Sequence, residues 1–410
     1  MQTATGSATA ATANSAQAQA RTVYAILFSI SLVHLLNDAI QSVIPAIFPI
    51  LHDSLQLSFT QIGWIAFTLN VTASLFQPLI GLYTDARPKP YLLPIGVVFS
   101  LFGIVVLAYA GTFSHVIMAV ILVGLGSSVL HPESSRVAYL AAGPRRGLAQ
   151  SIFQTGGNIG QALAPIFTAL IFVPLGQFGI IWFTFAAAAG IIVQIFVAKW
   201  YQGALVVRAT VRKSASVKKP LPKKTVAYAL GILIMLLFSK FVYVASMTGF
   251  YAFYLMDHFG VTTGRAQLII FTLLAAGAVG TFMGGPLADR FGRRNMIWFS
   301  ILGTAPFSML LPFVNLFWSA VLCACIGFIL LSGFSVIVVY AQELLPGKVG
   351  TVSGLFFGLA FGLGGIGSAV LGTLADATSI GFVIRLCAYL PLLGLFAAFL
   401  PTDKKLNMTS

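Results

Sequence analysis

Residues 285–294 read Gly285-Pro286-Leu287-Ala288-Asp289-Arg290-Phe291-Gly292-Arg293-Arg294, and Gly81-Leu82-Tyr83-Thr84-Asp85 stands 204 positions earlier as a shorter copy. Each follows a long apolar run. Gly124 and Gly327 lie 203 apart, as do Gly147 and Gly350. One spacing recurring at separate points indicates an internal duplication. The chain therefore reads as two related halves, and halves of this kind place a solute site between them near the membrane midplane.

The rest of the sequence says what those halves are made of. Its 410 residues are 58% hydrophobic and 8% charged, with a mean hydropathy of +0.96. A soluble domain carries about a quarter charged residues, so most of this exterior must face lipid. A bilayer core needs about 20 apolar residues per helix. Runs bounded by Pro, Gly and charges predict helices over 24–51, 60–83, 92–110, 115–142, 147–173, 179–201, 226–256, 264–288, 295–314, 316–343, 349–375 and 380–400. The expected fold is an all-α membrane protein of 12 transmembrane helices in two pseudo-symmetric six-helix bundles, residues 21–201 and 226–402. Residues 1–20 carry no charge and few apolar side chains and are expected to be a disordered tail. The run after Arg21 is too long for a signal peptide and reads as the first span. Residues 202–225, with Arg208, Arg212, Lys213, Lys218, Lys219, Lys223 and Lys224, read as a solvated linker, and 403–410 as a second tail.

The net charge is +14, from 23 Lys and Arg against 9 Asp and Glu. The basic residues sit in short loops, so the excess does not point to nucleic acid. With the amino terminus inside, 19 of the 23 fall on the inner side, which makes both termini cytoplasmic. Cys323, Cys325 and Cys387 lie in apolar runs with no metal-ligand spacing and read as inert thiols. No phosphate loop, nucleophile elbow or metal-ligand cluster is present in the sequence, so neither an enzyme nor a cofactor or metal site is expected.

A charge at mid-bilayer costs at least about 2.5–3.5 kcal/mol, so each needs a reason. His34, Asn37, Asp38 and Gln41 share one face of the first helix, three and four residues apart. There Asp38 is a candidate proton carrier, against a polar seam between helices. His131-Pro132-Glu133-Ser134-Ser135-Arg136 crosses the fourth helix. Glu133 and Arg136 can pair as a structural lock, or, with His131 and Ser135, provide donors for an anion. Lys240 sits mid-helix in the seventh run, near Tyr243, Met247 and Tyr251, and needs a carboxylate partner or an anionic ligand. Asp38 is the expected partner. Gln150, Gln154, Asn158 and Gln161 line one face of the fifth helix, and Asn70, Ser74 and Gln77 one face of the second. Either set can bind a polar solute or bond across helices. The stripe Gly350, Gly354, Gly358, Gly362, Gly365 predicts close helix contact. Glu343 is placed for a gate or a loop ion pair. Arg385, near the outer end of the last helix, can snorkel, and no role falls to His52, His115 or His258.

Residues 285–294 resemble the signature loop of the major facilitator superfamily. That resemblance implies a latch of Asp289, Arg290, Arg293 and Arg294 at the inner helix ends, released during the inward–outward switch. The first-half copy keeps Asp85, Arg87 and Lys89 but has prolines where the other has its glycine and paired arginines. Gly156-Gly157-Asn158-Ile159-Gly160-Gln161-Ala162-Leu163-Ala164-Pro165 resembles the superfamily's antiporter motif, with Ala164 in place of a glycine. The runs at 34–42, 131–138, 147–160 and 340–358 are similar, more narrowly, to the fosmidomycin resistance protein family of Gram-negative bacteria. This resemblance covers the chain from Arg21 onward and implies proton-coupled export of a small anionic drug across the bacterial inner membrane. Its expected partners are protons, the anionic solute and membrane lipid, and a monomer is expected. Two rival readings are uptake of an anionic metabolite by proton symport and a transport-dead membrane sensor. The implied site joins Asp38 and Glu133 as proton-coupling residues to His34, Asn37, Gln41, His131, Ser135, Arg136, Gln154, Asn158, Lys240 and Tyr243 as substrate ligands. Asp38, Glu133, Arg136 and Lys240 are expected around one shared chamber.

Overall fold

The computed structural model describes residues 22–57, 59–163, 167, 171–212 and 221–402. The expected tails, the middle of the linker and Ala164-Pro165 lie outside the described residues. The first half comprises α1 (Tyr24–Ala46), α2 (Phe48–Leu55), α3 (Phe59–Ala86), α4 (Leu92–Ala108), α5 (Phe113–Ala141), α6 (Arg146–Ala162) and α7 (Phe183–Arg212). The second comprises α8 (Lys223–Gly249), α9 (Tyr251–Phe259), α10 (Thr263–Phe291), α11 (Arg293–Leu302), α12 (Ala305–Leu310), α13 (Leu316–Leu331), α14 (Phe334–Leu344), α15 (Val349–Ala377), α16 (Ile380–Cys387) and a closing 3₁₀ turn, Leu390–Phe399.

Among the described residues, nine helical stretches are long and apolar enough to cross a bilayer. The shorter apolar α4, with α3 and α6, completes the twelve expected spans. α6 is less apolar because it carries Gln150, Ser151, Gln154, Asn158 and Gln161, and α3 carries Asn70, Thr72, Ser74 and Gln77. In lipid such groups need partners: on α3, Thr72, Ser74 and Gln77 donate to carbonyls one turn back in their own helix, while on α6 Asn158 reaches Thr281 of the other half. α3 packs on α15 and α6 on α10, the two pseudo-symmetric seams. The expected single helix over 24–51 is divided at Ile47, and the expected span over 316–343 at Ser332-Gly333.

The same neighbour pairs recur inside each half. α1 packs on α6 as α8 packs on α15, and α3 on α5 as α10 on α13. The apolar cores say how the halves meet. One cluster, from Ile26, Ile152 and Phe153 to Leu237, Phe334 and Phe356, draws on both halves. Two others, around Val120 and around Leu255, belong each to one half. The halves are thus fused at the end bearing the basic loops and separate at the other. Along α15 the glycine stripe marks the same gradient. A side-chain carbon on Gly354 would strike Gln77 of α3, whereas Gly362 and Gly365 face open space.

Candidate functional site

At the basic-loop end, two carboxylates cap helices of the opposite half. Asp85, ending α3, accepts from Gly350 N (2.9 Å), Thr351 N (2.7 Å) and Thr351 Oγ1 (2.5 Å) at the start of α15. Asp289, ending α10, accepts from Gly147 N (3.0 Å) and Leu148 N (3.1 Å) at the start of α6. The first amides of a helix lack intrahelical acceptors and carry its positive dipole end, so each carboxylate closes one seam. The backbones touch there. A side-chain carbon on Gly81 would overlap the Gly350 carbonyl, and one on Gly285 the Gly147 carbonyl. The first-half loop forms this contact without the second copy's Gly292, whose φ of +92° turns α10 into α11.

The charged residues of α5 belong to this end. Arg136 donates to Asp85 Oδ1 (2.7 Å), to Thr84 Oγ1 (2.9 Å) and to the Thr84 carbonyl, and lies 3.4 Å from Glu133. Glu133 also accepts from Tyr201 (3.4 Å). Ser135 joins Gln150, Gln342 and Ser353 in a buried network at 2.9–3.0 Å that crosses between the halves. Glu343 bridges the halves too, meeting Arg146 at 2.8 Å and Arg293 at 3.1 Å. Glu133, Ser135 and Arg136, expected around a solute chamber, are in this arrangement engaged at the closed end. Their partners are the loop carboxylate of Asp85, Thr84, Tyr201 and the seam helices. Of the expected latch arginines, Arg293 alone meets carboxylates, Glu343 and, at 3.8 Å, Asp289. Arg87 and Arg290 are exposed, and Arg294 donates to the Ala398 carbonyl in its own half.

Deeper in the first half lies Asp38, 2% exposed. Its Oδ1 accepts from Asn37 (3.0 Å) and its Oδ2 from Gln161 (2.8 Å). His34 Nε2 lies 3.4 Å from Oδ2, and His131 Nε2, arriving from α5, 3.7 Å from Oδ1. The opposite ring nitrogens are anchored: His34 Nδ1 to the Phe153 carbonyl at 2.8 Å, His131 Nδ1 to the Ser127 carbonyl at 3.0 Å. Phe153 stacks on His34, and Phe357 and Phe361 of α15 flank His131. Asn37 and Gln41 bond Ser127 at 3.4 and 2.7 Å, the polar seam between α1 and α5. The sequence spacing anticipated no clustering of metal-ligand side chains, yet the ligand atoms of His34, Asp38 and His131 come within 4.8 Å of one another.

Between the halves is a cavity of about 110 Å³, lined by Gln154, Asn158, Gln161 and Thr281 with Lys240, Leu331 and the rings of Phe241, Phe334, Phe357 and Phe361. Lys240, 1% exposed, is its sole charge among the described residues and donates to the Leu330 carbonyl at 2.5 Å. Asn158 reaches across the seam to Thr281 (2.9 Å) and accepts from Gln154 (3.4 Å). The expected Asp38–Lys240 pair is not formed, because each side chain is turned to partners in its own half. Tyr243 does not line the cavity either: it is buried among Met247, Tyr251 and Leu255. The expected shared chamber therefore resolves into three separate places: a latch, an Asp–His cluster and a cavity with one cation. Gln161 joins the last two, lining the cavity while it holds Asp38. Arg146, Thr84 and Tyr201 were not singled out by the sequence, and only Arg146, opening α6 beside the duplicated Gly147, carried a signal that could have found it.

A family described as Major Facilitator Superfamily matches residues 30–369. The chain is 52% identical over 386 residues, 94% of its own length and 95% of the relative's, to the fosmidomycin resistance protein of Escherichia coli (strain K12). It is 50% identical over 390 residues, again 94% and 95%, to the uncharacterized MFS-type transporter YfnC of Bacillus subtilis (strain 168). Among solved structures, FucP in the outward conformation aligns with a TM-score of 0.68 at 14% identity, covering 92% of this chain and 98% of that one. The N162A form of FucP, described as a fucose:proton symporter from E. coli, aligns at 0.65 over 93% and 99%.

Proposed function

The chain belongs to the major facilitator superfamily, and from that premise we propose that it is a proton-coupled exporter of a small anionic drug such as fosmidomycin. It works by alternating access across the bacterial inner membrane, with both termini in the cytoplasm. The observation that carries this reading is Gln161, whose one side chain both lines the cavity around Lys240 and donates to the buried Asp38. Lys240 attracts the anion through a charge-assisted contact. Gln154, Asn158 and Thr281 provide polar partners, and the four phenylalanine rings provide the apolar wall.

The arrangement of the halves corresponds to the outward-facing side of the cycle, with the cytoplasmic end sealed by Asp85 and Asp289. A proton arriving from outside neutralises Asp38, frees Gln161 to turn toward the cavity, and the reshaped cationic site releases its anion outward. Glu133 and Arg136 act in this scheme as part of the seal. The identity to a fosmidomycin resistance protein supports the choice of drug.

The test is flux in proteoliposomes under an imposed pH gradient, across a small panel of phosphonates. Export against an inward proton gradient is expected, and uptake along it would replace antiport by symport. Asp38→Asn should abolish gradient-driven export; drug resistance unchanged at equal expression would remove Asp38 from the mechanism.

A further inference from the structure

Hydrogen counting around Asp38 carries the argument beyond a lone carboxylate. A backbone carbonyl only accepts, so the Nδ1 atoms of His34 and His131, at 2.8 and 3.0 Å from the Phe153 and Ser127 carbonyls, both carry hydrogen. In neutral rings each Nε2 is then a bare lone pair. Both lone pairs are buried without a hydrogen-bond partner, and both look at a carboxylate whose oxygens already accept from Asn37 and Gln161. Acceptors thus face acceptors across 3.4 and 3.7 Å. One proton between a ring and the carboxylate resolves one of these two contacts and makes the buried group neutral overall, which a low-dielectric site favours strongly.

We infer that His34, Asp38 and His131 form one proton-binding unit, in which the transported proton rides on an imidazole Nε2 against the Asp38 carboxylate. The two histidines are therefore proton carriers and not ligands of the solute. This rests on the antiport reading above and assigns its proton to particular atoms. The proton comes from water on the outer side, adds to Nε2 to give an imidazolium, and returns to water on the cytoplasmic side; no other bond changes. Two imidazole Nε2 atoms flank one carboxylate, one at each oxygen, so the proton can enter by one ring and leave by the other. Among the described residues, the other charges on the surrounding helices are engaged elsewhere or exposed. On α5, Glu133 and Arg136 are held with Asp85 and Tyr201. On α6, Arg146 is paired with Glu343, on α7 Lys199 is exposed, and α15 sets Phe357 and Phe361 against His131.

Asparagine is the discriminating replacement, since its amide retains the Nδ1 donor to the backbone and deletes Nε2. In proteoliposomes the His34→Asn/His131→Asn double variant should retain fosmidomycin counterflow, which needs no net proton movement, and lose accumulation driven by a pH gradient. Each single variant should keep gradient-driven transport with a displaced pH profile. Wild-type gradient-driven accumulation in the double variant would overturn the assignment, and so would equal loss of counterflow and driven transport. A wild type that exchanges drug yet ignores the gradient would instead reject antiport itself. Independently of transport, ¹⁵N spectra of histidine-labelled wild type, assigned with the single variants, should give the Nδ1–H tautomer for both rings at high pH. An Nε2–H tautomer at either ring would overturn the proposal. A stoichiometric divalent metal in the purified protein, lost in the double variant, would do the same.

Discussion

Single residues here are decided by where their polar atoms find partners. Lys240 is an ammonium buried with one carbonyl and a ring of phenylalanines for company, an expensive placement that an anionic ligand would offset. Lys240→Met should leave the protein folded and at least as heat-stable, while raising the KM for fosmidomycin by about 10- to 100-fold, the loss of a charged hydrogen bond worth about 1.5–3 kcal/mol. Lys240→Arg should fall between, because a guanidinium keeps the charge but not the shape. Equal defects in Met and Arg variants, measured by flux, would mean Lys240 serves packing. Gly157 is the second informative position. A side-chain carbon there would press on His34 Nε2 and come within 2.9 Å of Asp38 Oδ2. Gly157→Ala should therefore shift the pH profile of driven transport while counterflow continues; an unchanged profile would place the proton elsewhere. The sequence singled out Asp38, His34 and His131, but helical spacing only fixed which face each occupies. That His131 of α5 meets Asp38 of α1, while Arg136 on the same helix meets a loop, is a matter of depth and of neighbouring helices.

Among the elements, the two seams repeat one device: a loop carboxylate on the amino end of a helix from the other half, with glycines letting the backbones meet. An anion at a helix amino terminus contributes about 0.3–1 kcal/mol when exposed and about 2 when partly buried. Asp85→Asn or Asp289→Asn should each lower the ratio of closed to open molecules at the basic-loop end by about fivefold for about 1 kcal/mol. Distances between spin labels at the basic-loop ends of α3 and α15 would measure this. No change in either variant would make the caps incidental. The duplicated Gly81 and Gly285 loops made these two carboxylates legible from the primary structure alone. Their partners were partly legible, since Gly147 and Gly350 recur at the same offset. The latch arginines were legible only in part: Arg293 was among those expected and pairs with Glu343, which Arg146 also meets, whereas Arg87 and Arg290 are exposed.

For the molecule as a whole, the apolar cluster shared by both halves sits at one end and the open glycines of α15 toward the other. Water should reach Gln161 from the outer side but not Ser135, which is fully buried. With Cys325, the partly exposed native thiol, replaced by Ser, an impermeant thiol reagent added outside should label Gln161→Cys and spare Ser135→Cys. The reverse pattern would mean the closed end faces outward.

The sequence by itself determined the membrane class, the spans, the duplication and the side on which basic loops gather. Each follows from the transfer of individual residues between water and lipid, a cost that acts locally and leaves its mark in composition and period. Only tertiary structure decided which buried polar groups share a space. Helix packing divided the expected common chamber into a seal around Asp85 and Arg136, an Asp38–histidine cluster and a Lys240 cavity. A turn's difference in depth, or a rotation toward another neighbour, separates groups that the period of one helix sets side by side.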